Sequence, residues 1–251
     1  ISKTFFIGKR LYVPLALCAQ YHPRLRGAGQ TLFLYRSIKS INIWRSSAPS
    51  ITKAPFNQMT ALVYMLLADQ VHVAMDTLVV AAEDKKPMSF QRKFLSNPQC
   101  DLLIAGTGSA DLITGWFEYV SSLSDLSGID DLNRLTPSVV QDSVRAAGGL
   151  GEITTTLYHF GYSRADATYV GYAYRSTADF QSEKLQYSLG VKPQVHVEFP
   201  ENIEIPSFFI TIILEQQRQD QLRPSAQQLG IGGEIELALL ANRETHIETV
   251  H

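Results

Sequence analysis

The pattern of apolar and polar positions changes character near residue 60. From there, apolar residues crowd into two strand-like runs, Leu62–Leu67 and Val71–Ala81, parted by the polar Ala68-Asp69-Gln70, which predicts a hairpin turn. Glu83-Asp84-Lys85-Lys86-Pro87 predicts a charged loop, Ser89–Leu95 a return towards the core, and Cys100–Thr107 a strongly apolar strand. Leu112, Ile113, Trp116, Phe117 and Val120 then recur at helical spacing. They predict a helix to about Ser122, with Ser109 as its N-cap. A second helix is predicted over Ser138–Ala147, entered through Thr136-Pro137 and stopped by Gly148-Gly149. Strands follow at Ile153–Tyr162 and Ala167–Tyr174, then a helix at Phe208–Leu222. A last hairpin, Glu234–Leu240 and Thr245–Val250, turns around Asn242-Arg243-Glu244.

That order of strands, two helices, strands, helix and strands predicts an α+β fold with two antiparallel sheets between helix layers. The chain has 251 residues, enough to bury a sizeable core. It contains no internal repeat and no low-complexity segment.

Residues 1–59 form a different kind of segment. They show no sustained period, are rich in Ser, and are broken by Pro14, Pro23, Pro49 and Pro55. Nine of the 22 basic residues and none of the 24 acidic ones fall here, leaving 13 basic against 24 acidic in 60–251, a formal charge of −11. A basic leader thus precedes an acidic body. Four readings of the leader stand open. It is a translated stretch upstream of the true start at Met59, a propeptide shielding Thr60, a basic, acid-poor transit peptide, or a weak secretory signal built on Lys9-Arg10 and Leu11–Leu17. The first is favoured, because Met59 stands immediately before Thr60.

Composition narrows the function classes. An acidic body argues against nucleic acid, whose phosphates call for clustered Lys and Arg. No apolar run approaches the roughly eighteen residues that span a bilayer. Cys18 and Cys100 leave the body without an internal disulfide, which suits a reducing cytosol, and a cytoplasmic protein is expected. The six histidines form no HExxH pattern, so no metal and no cofactor are expected. His72 alternates with Val71 and Val73 and is assigned to a strand's polar face. Tyr158, Tyr162, Tyr169, Tyr172 and Tyr174 are assigned to packing or subunit contact.

Candidate chemistry concentrates between Met59 and Asp111. Thr60 precedes the first strand; Asp76 lies sixteen residues on, inside an apolar run; Lys93 lies thirty-three residues on, in Arg92-Lys93-Phe94. A carboxylate buried in a strand is costly unless paired, and Lys93 is its natural partner. The small-residue turn Ala105-Gly106-Thr107-Gly108-Ser109-Ala110-Asp111 joins a strand to a helix. It is not a dinucleotide loop: the third glycine is missing, and Asp111 in its place would repel a pyrophosphate.

In these residues the chain from Met59 to His251 resembles the proteasome-type N-terminal-nucleophile hydrolases, including the bacterial two-component relatives of the proteasome. The resemblance implies a four-layer αββα sandwich and a threonine peptidase. In it, Thr60 is nucleophile and base, Lys93 its electrostatic partner, and Asp76 the orienter of that lysine. Thr107 and Gly108 would supply the oxyanion hole, and Thr77 a contact to substrate backbone. It further implies a polypeptide substrate and a ring or other homo-oligomer, which substrates enter alone or with an ATP-driven unfoldase; any such ATPase would be separate, since the chain has no Walker motif.

The match departs from the family at one place. Family members that cleave peptides carry an Asp and a Ser before a Gly-Gly that opens a late strand. Here Gly232-Gly233 is preceded by Gln228 in place of the Asp and Ile231 in place of the Ser. The expected serine-bearing glycine turn is represented only by Ser188-Leu189-Gly190-Val191. Two alternatives follow: a catalytically inactive structural subunit, and a non-proteolytic amidohydrolase of the same fold.

Overall fold

The computed structural model describes residues 57–58, 60–81, 86–198, 200 and 203–250. The expectations for residues 1–56, Met59 and the charged residues 83–85 lie outside them. The described chain begins with β1 (Asn57–Gln58), β2 (Leu62–Leu66), β3 (Gln70–Asp76), β4 (Leu78–Val80) and β5 (Pro87–Phe90). Next come β6 (Phe94–Asn97), β7 (Leu102–Ser109) and two helices, α1 (Ala110–Ser122) and α2 (Ile129–Ala146). The second half holds β8 (Thr156–Ser163), β9 (Thr168–Arg175), β10 (Ser182–Lys184), β11 (Ser188–Lys192), α3 (Ser207–Gln221), β12 (Ile235–Ala241) and β13 (Glu244–Val250).

Two antiparallel sheets organise these elements, giving an α+β fold. One runs β11-β2-β3-β12-β13; the other runs β1-β7-β8-β9-β10, with β6 also paired to β7. A separate ribbon pairs β4 with β5. Strand residues alternate between two apolar environments, which explains why the sequence runs read as continuously apolar. Along β7, Leu103 and Ala105 join one core while Leu102 and Ile104 join another.

Three cores result. The first brings Leu62, Leu66, Val73 and Met75 of one sheet against Leu103, Tyr158, Phe160 and Tyr169 of the other. In the second, Leu102, Ile104, Leu157 and Tyr174 meet Ile113 and Trp116 of α1 and Leu132 and Val140 of α2. The third packs Val63, Ala74 and Leu237 under Phe209, Ile212 and Ile213 of α3. Each such side chain, fully buried, is worth roughly 1.5–3 kcal/mol.

Helix α1 lies where the pattern placed it, and Ser109 caps it by accepting a hydrogen bond from the Leu112 amide. Helix α2 differs from expectation. It starts at Ile129, and Pro137 is inside it rather than at its entrance. Proline there removes one amide donor. The helix nonetheless continues because Ile129 and Leu132 before it and Val140 after it are all buried on one face.

The run expected as one strand, Val71–Ala81, divides after Asp76. Up to Asp76 the strand pairs with β12, as far as Ile235. Beyond it, the Thr77 amide donates to the Glu234 carbonyl and the Leu78 amide to that of Gly232, before β4 turns to β5. His72, expected on a polar face, is half-buried on the face that α3 covers, with its ring edge-on to Phe209. Among the described residues, no helix is long and apolar enough to cross a membrane.

Candidate active site

Thr60 stands at the entrance to β2 and is 3 % exposed. Its neighbour Ala61 is packed in the α3 core, so the start of β2 is held firmly from the helix side. The Ala61 amide donates to Asp76 Oδ1 at 2.8 Å. On the other carboxylate oxygen, Lys93 Nζ donates at 2.9 Å and the Gly232 amide at 3.1 Å. Asp76, the last residue of β3, thereby joins three segments distant in sequence: the residue after Thr60, the lysine before β6, and the glycine turn before β12.

Both charges of the pair are removed from water, Asp76 fully and Lys93 almost so. Burial pushes the Asp76 carboxyl up from its ordinary range; the Lys93 charge and the hydrogen bonds from Lys93, Gly232 and Ala61 oppose that push. Burial likewise lowers Lys93, and Asp76 opposes it. A lysine held in this way carries its charge in a low-dielectric setting, where it acts strongly on nearby groups.

Thr77 is buried beside this pair and ties β3 to the glycine turn. Its hydroxyl accepts from the Glu234 amide at 3.0 Å and donates to the Glu234 carbonyl at 3.3 Å. Its own amide donates to Glu234, and its carbonyl accepts from Gln91. A substrate strand contacting Thr77 would have to displace these bonds.

The small-residue turn closes the other side. Thr107 is 2 % exposed, and its hydroxyl has no hydrogen-bond partner among the described residues. Gly108 has φ +115°, and an added Cβ would lie 2.3 Å from the Thr154 carbonyl oxygen. Only glycine fits there. The Ser109 amide donates to the Thr155 hydroxyl at 2.9 Å, fixing the turn against the residues that lead into β8. Along the same turn, Gln58 pairs in register with Gly108 and Asn57 with Ser109, so main chain just upstream of Thr60 lies antiparallel against it.

Sequence reasoning missed two contributors. Asp220, near the end of α3 and buried, accepts from the amides of Leu229, Gly230 and Ile231 at 2.7, 2.8 and 3.0 Å. It thus shapes the loop that presents Gly232 to Asp76. Lone acidic residues in a Gln/Arg-rich helix end give no signal of this; only the three-dimensional turn does. The second is Glu236, which takes a two-pronged bond from Arg92 beside Lys93, with contacts from 3.0 to 3.2 Å.

Two residues, Gln228 and Ile231, depart from the resembled pattern. Ile231 is 4 % exposed and packed in the α3 core. The Gln228 side chain donates to the Arg223 carbonyl at 3.2 Å. Comparison with known proteins gives no matching family model and no similar curated protein.

Proposed function

We propose that this chain is a threonine hydrolase of the proteasome type, with Thr60 as its nucleophile once it begins the chain. The observation that carries the reading is the bridge from the Ala61 amide through Asp76 to Lys93, at 2.8 and 2.9 Å. It ties a buried ammonium to the residue that follows the nucleophile.

A hydroxyl nucleophile is weak until a base takes its proton. The free α-amine of a terminal Thr60 would be that base, since an α-amine titrates near ~7.7–8.0 and is substantially neutral at cellular pH. Thr60 Oγ attacks the scissile carbonyl carbon, and its proton passes to the amine. The carbonyl oxygen collects negative charge, which backbone donors at the Thr107–Gly108 turn would stabilise, worth about 2.7–4 kcal/mol in other acyl-transfer enzymes. The amine returns the proton to the leaving nitrogen as the C–N bond breaks. Water then hydrolyses the threonyl ester and restores the hydroxyl. Lys93 keeps positive charge near the reacting groups, and Asp76 holds Lys93 in place.

On this reading the fold is the four-layer αββα sandwich, with the two sheets inside and α1, α2 and α3 outside. The three separate cores support it. Peptide bonds in unfolded or small polypeptides are the substrate, in a cytoplasmic homo-oligomeric ring that they enter alone or with a separate unfoldase. Exposed Met88 and Phe90 on β5 are apolar surface that assembly would cover.

A second reading, an inactive structural subunit of such an assembly, is favoured by one observation: the apolar side chain of Ile231 is buried where the family pattern has serine. The two are separated by treating the protein purified from its native host with an inhibitor directed at N-terminal threonine. A chain whose intact mass begins at Thr60 and gains one inhibitor adduct supports the hydrolase; a chain beginning at Thr60 that gains none supports the inactive subunit.

A further inference from the structure

A second cationic group faces the space between the sheets, apart from the Lys93–Asp76 pair. Lys192 of β11 is in register with Leu62 of β2, and Leu62 belongs to the inter-sheet core. Register neighbours share a face, so Lys192 points between the sheets. From the opposite sheet, Thr107, Thr156 and Arg175 stand abreast on β7, β8 and β9. Their face is the same inner one, because Ala105, Tyr158 and Ala173, two residues along each strand, line that core. Lys192 Nζ crosses the gap to donate to Thr156 Oγ1 at 3.1 Å.

Among the described residues, the charges in this space do not balance. Arg175 is paired with Glu183, at 3.0 and 3.3 Å. Among the described residues, Lys192 is paired with no carboxylate and meets only the Thr156 hydroxyl. Burial, and then Arg175, lower its affinity for a proton. A partly buried cation of this kind is costly until an anion neutralises it. On the neighbouring strand, the buried Thr107 hydroxyl has no hydrogen-bond partner among the described residues. The rings of Tyr64 and Tyr158, tilted at 47° with centroids 5.8 Å apart, wall the same space.

We propose that this space is a specificity subsite for a carboxylate of the substrate, held by Lys192 with the hydroxyls of Thr156 and Thr107, and with Arg175 supplying further positive field. Two carboxylate oxygens match one ammonium and two hydroxyls. The subsite lies beside the reacting groups. Thr107 adjoins Gly108, and strand spacings put Lys192 Cα roughly 8–9 Å from Thr60 Cα. A carboxylate there is about one side chain from the scissile carbonyl. Two sources share this chemistry, an acidic side chain and the carboxylate at a peptide's end. The proposal rests on the hydrolase reading for its substrate, but not for the existence of the anion site.

Four matched peptides test it, differing only in Glu against Gln beside the scissile bond, and in free acid against amide at the C-terminus. The wild-type protein, in the form whose intact mass begins at Thr60, is expected to favour one acid over its neutral partner by roughly ten- to a hundredfold in kcat/KM, the range of one charge-assisted contact. Whichever pair shows the preference identifies the source. In Lys192→Gln and, independently, in Thr156→Val, the acid-to-neutral ratio falls, while Lys192→Arg keeps most of it. Equal cleavage of all four peptides by the wild type, or an unchanged ratio in both variants, overturns the proposal. If the wild type cleaves none, N-acetylglutamate amide is titrated by calorimetry. Binding that Lys192→Gln abolishes upholds the anion site while the hydrolase reading fails, and no binding to the wild type overturns both.

Discussion

Lys93 Nζ lies 2.9 Å from Asp76 Oδ2, with 6 % of one side chain and none of the other open to water. A pair so enclosed has little independent value as a stabiliser, since the cost of drying two charges is comparable to their attraction. Its weight shows when one partner is lost.

Asp76→Asn leaves Lys93 buried without its counter-charge. A loss of about 3–5 kcal/mol in unfolding free energy is expected, together with loss of any threonine-dependent hydrolysis. Urea denaturation of the single variant, and of Asp76→Asn combined with Lys93→Met, checks this. The double variant should recover most of the stability and none of the activity.

Gly108→Ala places a methyl group 2.3 Å from the Thr154 oxygen and 2.6 Å from Thr155 Cα, both main chain. Neither can yield cheaply. A destabilisation well above that of Gly148→Ala is expected; the latter also has positive φ but open space around it, and so costs only about 1–2 kcal/mol. Comparing the two unfolding midpoints separates steric collision from backbone strain.

Asp220→Ala frees the three amides of residues 229–231. Buried donors left unpaired cost about 1–3 kcal/mol each at most, and local relaxation recovers part of it. Amide hydrogen exchange should speed up at Leu229, Gly230 and Ile231, and at Gly232 as its hold on Asp76 loosens.

His159 governs the acid side of the stability curve. It is wholly buried, accepts a hydrogen bond from Trp116 Nε1 at 2.9 Å, and is held neutral by burial with its pKa lowered to about 3. An unfolded histidine titrates near ~6.5, so between those values the unfolded chain binds the extra proton. Stability is therefore complete above that upper value and falls as pH drops towards the lower one. The loss from this group is roughly 2–3 kcal/mol by pH ~4.5. Thermal unfolding from neutral to acid pH should show this slope in the wild type and a shallower one in His159→Gln.

What the sequence revealed follows from how local each cause is. The Ser109 cap and the helix behind it needed only neighbouring residues, and both lie where the spacing put them. The pairing of Asp76 with Lys93 was also legible, because a carboxylate in an apolar strand demands a partner and Arg92-Lys93-Phe94 offered one. Pro137 misled because local proline chemistry was outweighed by burial of Ile129 and Leu132 upstream. Strands β10 and β11 went unrecognised: Ser182-Glu183-Lys184 is wholly exposed and carries no apolar alternation, so only pairing with β9 makes it a strand. Gly232 and Asp220 act through backbone amides, which every residue has and no sequence advertises.

The three bonds on Asp76 also set an order of events during synthesis. Ala61 and Lys93 leave the ribosome early, but the Gly232 amide is 156 positions beyond Asp76. The centre around Thr60 therefore stays incomplete on every nascent chain until nearly the last strand pair has emerged. Whatever chemistry it performs is withheld from the polypeptide still being made.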